Sequence, residues 1–301
     1  PNAAGWNSSD VTVSFSCSDA TSGVASCPSP TTVSTEGANQ AITGTATDRA
    51  GNSASTSVTL SIDKTPPVVT ASAAPAPNAA GWNDSDVTVA FTCTDGLSGV
   101  ASCLSAMTLT AEGANQTVPG TASDLAGNSA STSVTLSIDK TPPSVTAVFS
   151  PAPNAAGWNN TDVRVTFEAQ DALSGVVSVS PPVEIATEGR DQVVGGSATD
   201  MAGNVELATA VVNVDKTVPR VVLSAPEDGA VRRVGRVEVR GTASDDNALA
   251  SVAVNGIDAG LGAEFTVEVP LAEEGPHTLT AIATDVAGNV GSASVGVVYS
   301  A

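Results

Sequence analysis

The sequence predicts an all-β protein, built as four tandem antiparallel β-sandwich domains in an elongated array. Three observations carry that expectation. The pentapeptide Asp-x-Ala-Gly-Asn occurs four times, at Asp48–Asn52, Asp124–Asn128, Asp200–Asn204 and Asp285–Asn289. The first three copies open at a constant step of 76 residues (124 − 48 and 200 − 124), and Trp6, Trp82 and Trp158 of Gly-Trp-Asn keep the same step. Each copy lies between runs that alternate small or branched apolar residues with Ser and Thr, such as Ser129-Ala-Ser-Thr-Ser-Val-Thr-Leu-Ser-Ile138. Period-two alternation marks a half-buried strand, and a Gly-Asn turn between two such runs closes an antiparallel hairpin. Repetition at this length implies small cores in series rather than one large core.

Boundaries follow from a second repeated stretch. Asp63-Lys-Thr-Pro-Pro67, Asp139-Lys-Thr-Pro-Pro143 and Asp215-Lys-Thr-Val-Pro219 divide the chain into repeats 1–65, 66–141 and 142–218 and a divergent unit 219–301. Proline fixes its own φ and biases the preceding residue toward extended backbone, so the joints are expected to be semi-rigid. Pro1 aligns with Pro77 and Pro153, and the Pro67-Val-Val-Thr-Ala-Ser72 stretch that leads into the second repeat has no counterpart ahead of it. The first repeat is therefore expected to miss its first strand, and the chain to be a piece of something longer or a processed subunit.

Within the first repeat, Asp10-Val-Thr-Val-Ser-Phe-Ser-Cys17 puts Val11, Val13, Phe15 and Cys17 on one face of a strand. A Ser-Gly turn follows, then a strand from about Val24 to Thr35, a turn at Glu36–Asn39, and the long hairpin around Asp48–Asn52 ending at Ile62. The second repeat presents Val87, Val89, Phe91 and Cys93 in the same places, and the third Val163, Val165, Phe167 and Ala169. In the fourth unit the strands are read at Gly235–Asp246, Ser251–Gly256, Phe265–Val269 and His277–Asp285. About seven short strands per unit, with turn signals every 8–12 residues, is the pattern of an immunoglobulin-like sandwich.

Cys17 and Cys27 are ten apart, and Cys93 and Cys103 repeat them. Ala169 and Val179 replace both thiols together in the third repeat, as expected of bonded pairs. The Ser-Gly segment between them reads as a hairpin turn, which brings the two strands within bonding reach. Disulfides Cys17–Cys27 and Cys93–Cys103 are expected, and with them an oxidising, extracellular or cell-surface location. A zinc site needs four clustered ligands, and the single histidine is His277.

Net charge is −20, from 31 acidic against 11 basic residues, which excludes nucleic acid and anionic membrane surfaces as partners. No run approaches the roughly 18 apolar residues of a membrane-spanning helix. Aromatic residues are 3% but apolar residues reach 41%, so the units have enough Ala and Val to build cores.

The motifs Gly241-Thr-Ala-Ser-Asp-Asp246, Val252-Ala-Val-Asn-Gly256 and Gly275-Pro-His-Thr-Leu-Thr-Ala-Ile-Ala-Thr-Asp-Val-Ala-Gly-Asn289 resemble bacterial Ig-like domains. The first three units, with Gly-Trp-Asn, Ser-Gly-Val and Asp-x-Ala-Gly-Asn, resemble the short Ig-like repeats of large bacterial surface proteins, and the resemblance covers essentially the whole chain. It implies a secreted adhesin- or stalk-type structural role, with neighbouring copies or flanking domains of the same protein as partners.

No catalytic constellation is expected. A nucleophile–histidine pair would have to use His277, which lies in a strand pattern. Trp6, Trp82 and Trp158 are candidates to stack on surface glycans, against the plainer role of capping a sandwich end. Asn7, Asn83 and Asn159 fit the N-glycosylation pattern by chance. The sharpest site expectation is calcium at the joints. Strand direction brings Asp63 of a linker to Asp95 and Asp124, Asp139 to Asp171 and Asp200, and Asp215 to Asp245, Asp246 and Asp285. Calcium takes 6–8 oxygen ligands, which carboxylates and turn carbonyls supply. In the opposing reading these aspartates bond only their own turns, and Lys64, Lys140 and Lys216 neutralise the linkers. Function then follows as a semi-rigid extracellular spacer. The alternatives are a glycan-binding or enzyme-accessory module, or a head-to-tail fibre subunit completed by strand donation.

Overall fold

The computed structural model describes residues 1–301, all in strands, turns and connecting segments, with no helix. The chain divides into two compact units, Pro1–Thr141 with Met201–Asn204, and Pro142–Asp200 with Val205–Ala301. Each contains two separate hydrophobic cores.

In the first unit the second repeat shows the complete pattern. One sheet pairs Val68–Ala74, Val87–Thr94 and Met107–Leu109; the other orders Val100–Cys103, Gly113–Asp124, Ser129–Ile138 and Trp82–Asn83. All pairings are antiparallel except Trp82–Asn83, which runs parallel to Ser137–Ile138. Three strands facing a sheet built on a long hairpin, with a short parallel edge strand, is the immunoglobulin-like sandwich. Val87, Val89, Val118, Leu136 and Ile138 fill it. Phe91 lies against Gly120, where any Cβ would collide with the ring; Phe15 and Gly44, and Phe167 and Gly196, repeat the pairing. In repeats so poor in aromatics, this Phe is placed where the facing strand is bare.

The first repeat keeps the hairpin Gly37–Asp48 with Ser53–Ile62, flanked by Val24–Ser26 and Trp6–Asn7, but its facing sheet is only Val11–Val13 with Thr31–Val33. The core shrinks to Val13, Val33, Leu60 and Ile62.

In the second unit the third repeat pairs Ser144–Ser150, Val163–Gln170 and Val183–Ile185 opposite Val176–Val179, Gly189–Asp200 and Val205–Val214. The divergent unit sets Arg220–Ala225, Arg236–Ser244 and Glu264–Pro270 against a five-stranded sheet ordered Ala230–Arg232, Val290–Tyr299, Gly275–Asp285, Leu249–Val254, Ile257–Asp258. Its core is the largest of the four, with Val239, Val252, Val254, Leu279 and Ala281 fully enclosed.

Two sequence expectations need correction. The stretch read as one strand, Val24–Thr35, is two, Val24–Ser26 and Thr31–Val33, which belong to different sheets. The Ser-Gly segment is likewise no hairpin turn. It carries the chain from one sheet to the other, so Cys93–Cys103 fastens a strand to the facing sheet, and Cys17–Cys27 ties the corresponding segments of the first repeat. Both crossings have a Cα–Cα distance of 5.9 Å, an ordinary disulfide span.

Candidate functional site at the domain joints

The linker after the first repeat is fastened at both ends. Lys64 N donates to Glu36 Oε1 at 2.6 Å, and Thr65 Oγ1 donates to the same carboxylate. Lys64 Nζ reaches Asp10 at 2.9 Å and the Ser34 carbonyl at 2.7 Å. These bonds hold the linker to the repeat it leaves. Asp63, fully buried, faces the repeat ahead: Oδ2 accepts from Ser98 N at 2.9 Å, and its carbonyl accepts from Asn128 Nδ2 at 2.9 Å.

Ser98 and Asn128 belong to the two turns that sequence order brings to this end. In the Ser-Gly turn Asp95 Oδ1 accepts from Leu97 N and Gly99 N, and Gly99 takes a φ of 88° that a side chain would resist. In the Asp-x-Ala-Gly-Asn turn Asp124 Oδ1 accepts from Gly127 N and Asn128 N, and Oδ2 from Asn128 Nδ2. The repeated Asn thus has two tasks, closing its own hairpin and reaching the incoming linker. Asp63, Asp95 and Asp124 each offer an oxygen within 4.8 Å of the others. A cavity of about 470 Å³ lined by Glu36, Asp63, Thr65, Asp95 and Leu97 opens beside them.

The second unit repeats the arrangement at Asp215, Asp245 and Asp285, again within 4.8 Å. Asp215 accepts from Thr217 N and Asn247 Nδ2, and its carbonyl from Asn289 Nδ2. Asp285 accepts from Gly288 N and Asn289 N. Asp245 Oδ1 accepts from Asn247 N, but its buried Oδ2 has no hydrogen-bond partner. Desolvation, reinforced by the charges of Asp215, Asp285 and Asp246, pushes the Asp245 pKa up, against the opposing Asn247 bond. Asp246, grouped with these in the sequence reading, is exposed and is not one of the three.

Of the remaining candidates, Asp139 is buried, accepts from Thr141 N, and its carbonyl accepts from Asn204 Nδ2. Asp171 accepts from Leu173 N and Gly175 N, and Asp200 is buried.

The lysines do not neutralise the clusters. Lys64, Lys140 and Lys216 pair instead with Asp10, Asp86 and Asp162 on the polar faces of their own repeats. No ion pair reaches Asp63, Asp95 and Asp124 or Asp215, Asp245 and Asp285, and three carboxylates so gathered, two of each set almost fully buried, repel one another unless a proton or a metal ion intervenes. Every donor is oxygen, the set that suits calcium, and the orphaned Asp245 Oδ2 is an unsatisfied ligand of that kind.

A second fastening was not read from the sequence. Asn2 Oδ1 accepts from Ala4 N and Trp6 N, while its Nδ2 donates to the Leu125 carbonyl in the middle of the next repeat's Asp-x-Ala-Gly-Asn turn. Asn78 does the same to Met201 and Ala202, and Asn154 to Val286. The signal was present, since each Asn stands four residues before the repeated Trp, but an Asn in a Pro-Gly-rich turn has an ordinary local explanation.

Trp6 and Trp82 stand on the short parallel edge strands, and Trp158 precedes the equivalent bridge from Asn159 to Val214. Trp158 is buried with Arg190 stacked 5.2 Å from its ring centre, whereas Trp6 and Trp82 are half-buried; Ala38 and Ala114 stand where the third repeat has Arg190. Asn83 and Asn159, in the glycosylation pattern, are buried and donate to the Pro75 and Pro151 carbonyls. His277 lies half-buried on its strand, with a ring nitrogen 2.6 Å from the Glu273 carbonyl.

No protein-family model and no curated protein matches the chain. Among solved structures it is similar to the N-terminal eight Ig domains of Down Syndrome Cell Adhesion Molecule, with 12% identity and a TM-score of 0.44, over 90% of this chain and 41% of that one. It is also similar to a tetra-tandem repeat in the extending region of a large adhesion protein, with 20% identity and a TM-score of 0.32, over 87% of this chain and 82% of that one. A third is a structure of a 1.5-MDa bacterial ice-binding adhesin, with 16% identity and a TM-score of 0.29, over 79% of this chain and all of that one.

Proposed function

We propose that the chain is a non-enzymatic structural module of an extracellular protein, a spacer of four domains (1–65, 66–141, 142–218 and 219–301) whose joints are stiffened by calcium. The observation that carries this reading is the fully buried linker aspartate, Asp63, bonded forward to two turns of the next repeat while Lys64 and Thr65 are bonded back to the one before. A residue that served only to connect would be solvated. Asp63, Asp95 and Asp124, and likewise Asp215, Asp245 and Asp285, would hold the ion, and the ion would supply charge balance and fix the turns against the linker. The two disulfides support an oxidising location. Assignment to a bacterial surface or adhesin-like protein rests on the sequence motifs of the repeats.

Calorimetric titration of the whole chain with calcium, paired with small-angle scattering before and after chelation, tests the reading. Saturable binding and greater chain flexibility in chelator are expected. Identical scattering and no binding heat would assign joint stiffness to the prolines and asparagines and remove calcium from the proposal. Trp82→Ala provides the control for a glycan-binding role, since loss of polysaccharide binding at unchanged thermal stability would replace the spacer reading.

A further inference from the structure

The long hairpin of the third repeat is apolar on both of its faces. Val194, Ala210 and Val212 point into the sandwich and are buried. The residues between them face outward in register: Val193 stands opposite Val211, Gly195 opposite Thr209, Ser197 opposite Leu207, and Thr199 opposite Val205. Leu207 is 74% exposed and Val193 69%, with Val211 at 53% and Val205 at 52%. Runs such as Ala210-Val-Val212 are typical of strands covered on both sides, and here only the inner side is covered.

The other repeats show that the hairpin does not need this surface to form. In the same register the second repeat has Thr117 opposite Thr135, Thr121 opposite Ser131, and Ser123 opposite Ser129. The first has Thr45 opposite Ser55 and Thr47 opposite Ser53. Val193, Val205, Leu207 and Val211 thus stand where the second repeat presents hydroxyls to solvent. Beside Leu207 the surface is hollow. Gly195 replaces Thr43 and Pro119 of the first two repeats, and nothing lies within 4 Å of where its Cβ would be. None of the eight outward residues is ionisable, in a chain whose net charge is −20. Two copies repel over most of their surfaces, and on this face they can meet without opposing carboxylates. The face offers roughly 500 Å² on each copy, so a pair would bury on the order of 1,000 Å², the low end for a specific contact.

We infer that the outer hairpin face of the third repeat is a self-association surface, which packs against the same face of a second copy. The contact is isologous: Leu207 of each copy seats over Gly195 of the other, and Val193, Val205 and Val211 close around the pair. Its size makes the dimer weak and reversible. This goes beyond the spacer reading, because it gives one repeat a contact surface that does not depend on the joints or on calcium.

The test is sedimentation equilibrium of the whole chain over a concentration series, run in chelator so that joint ions play no part. A reversible monomer–dimer equilibrium is expected, with a dissociation constant on the order of 100 µM. Added salt should tighten it several-fold by screening the repulsion between two acidic chains. A variant carrying Val193→Thr, Val205→Ser, Leu207→Ser and Val211→Thr takes the second repeat's residues. It is expected to associate at least tenfold more weakly at an unchanged melting temperature. Gly195→Thr, the first repeat's residue, removes no apolar group but fills the hollow, and is expected to weaken association about fivefold. A wild type that stays monomeric to millimolar concentration, or a dimer that the fourfold variant leaves intact, would overturn the proposal. So would equal association of wild type and Gly195→Thr, which would make the face a non-specific apolar patch.

Discussion

Asp19 and Asp48 in the first repeat occupy the same two turns as Asp245 and Asp285 in the divergent unit, yet their chemistry differs. Asp19 accepts from Gly23 N, Thr21 N and Ser22 N, and the Gly23 bond above all holds its pKa below the ordinary aspartate value. Asp48 is held low by the Asn52 side chain and then its backbone N–H. Asp19 is exposed and Asp48 half-buried, and both are turn formers satisfied by local bonds. Asp245 keeps one such bond, from Asn247 N, but burial and the approach of Asp215 and Asp285 reverse the direction of its shift. The turn bonds favour the carboxylate at Asp19 and Asp48; burial penalises it at Asp245. What separates Asp245 from them is first its burial, and then the neighbouring charges of Asp215, Asp285 and Asp246.

The largest expected effect breaks the comparison at Asp124. Asp124→Ala removes the acceptor of two turn amides and of the Asn128 side chain in a buried place. A loss of about 2–4 kcal/mol is expected by chemical denaturation, with loss of calcium binding at that joint. Asp48→Ala, the same change in the first repeat's turn, should cost clearly less and leave calcium binding untouched. Equal costs would mean the turn, and not the joint, sets the energetics.

Calcium removal comes next. An ion present at a hundredfold over its dissociation constant stabilises the folded state by about 2.7 kcal/mol. Chelation should therefore lower the melting transitions that involve Ser98, Asn128, Asn247 and Asn289, followed by amide exchange at those turns, and spare the first repeat's Thr21–Gly23. Uniform protection changes along the chain would argue for a non-specific ionic effect.

Acid sharpens the contrast further. A depressed carboxylate pKa contributes stability above the unfolded value that is lost as pH falls through the folded pKa, so the bonds of Asp19 and Asp48 should persist until below the ordinary aspartate range. A raised pKa has the opposite sign. Its stabilising contribution is complete below the unfolded value and is lost as pH rises through the folded pKa. In chelator, the divergent unit should thus gain stability as pH falls from neutral toward that range, and Asp245→Asn should reproduce the gain at neutral pH, raising melting by roughly 2–5 °C. In calcium the same variant should lose stability.

Much of this was legible before any coordinates. Period-two alternation located most of the strands, and the direction of consecutive strands placed Asp63 near Asp95 and Asp124. The errors have one physical source. Sequence spacing gives local order but not which sheet a short strand joins, so Val24–Ser26 and Thr31–Val33 were merged and the disulfide segment was read as a hairpin. The opposing reading of the lysines gives way for a related reason: Lys64 is adjacent to Asp63 in sequence, but neighbouring side chains on extended backbone point to opposite faces, and its partner is Asp10. Asn2 was missed because its two roles, local turn acceptor and donor to Leu125, use different ends of one amide, and only the first is visible from neighbours in sequence.

That amide supplies the smallest and most discriminating prediction. Asn78→Ala removes the donor to Met201 and Ala202 and the acceptor of Ala80 N and Trp82 N, whereas Asn78→Asp keeps the acceptor and loses only the forward donation. If the Asn is a joint clamp, the Asp variant should lose about 1 kcal/mol, nearly as much as the Ala variant, because a carboxylate facing two carbonyls repels them. If it is a turn former, Asp should behave as wild type, since Asp and Asn are equivalent acceptors in such turns. Calcium does not touch this residue, so the difference between the two variants should be the same in calcium and in chelator. A difference that disappears in chelator would mean that the clamp acts only after the carboxylate cluster has set the joint.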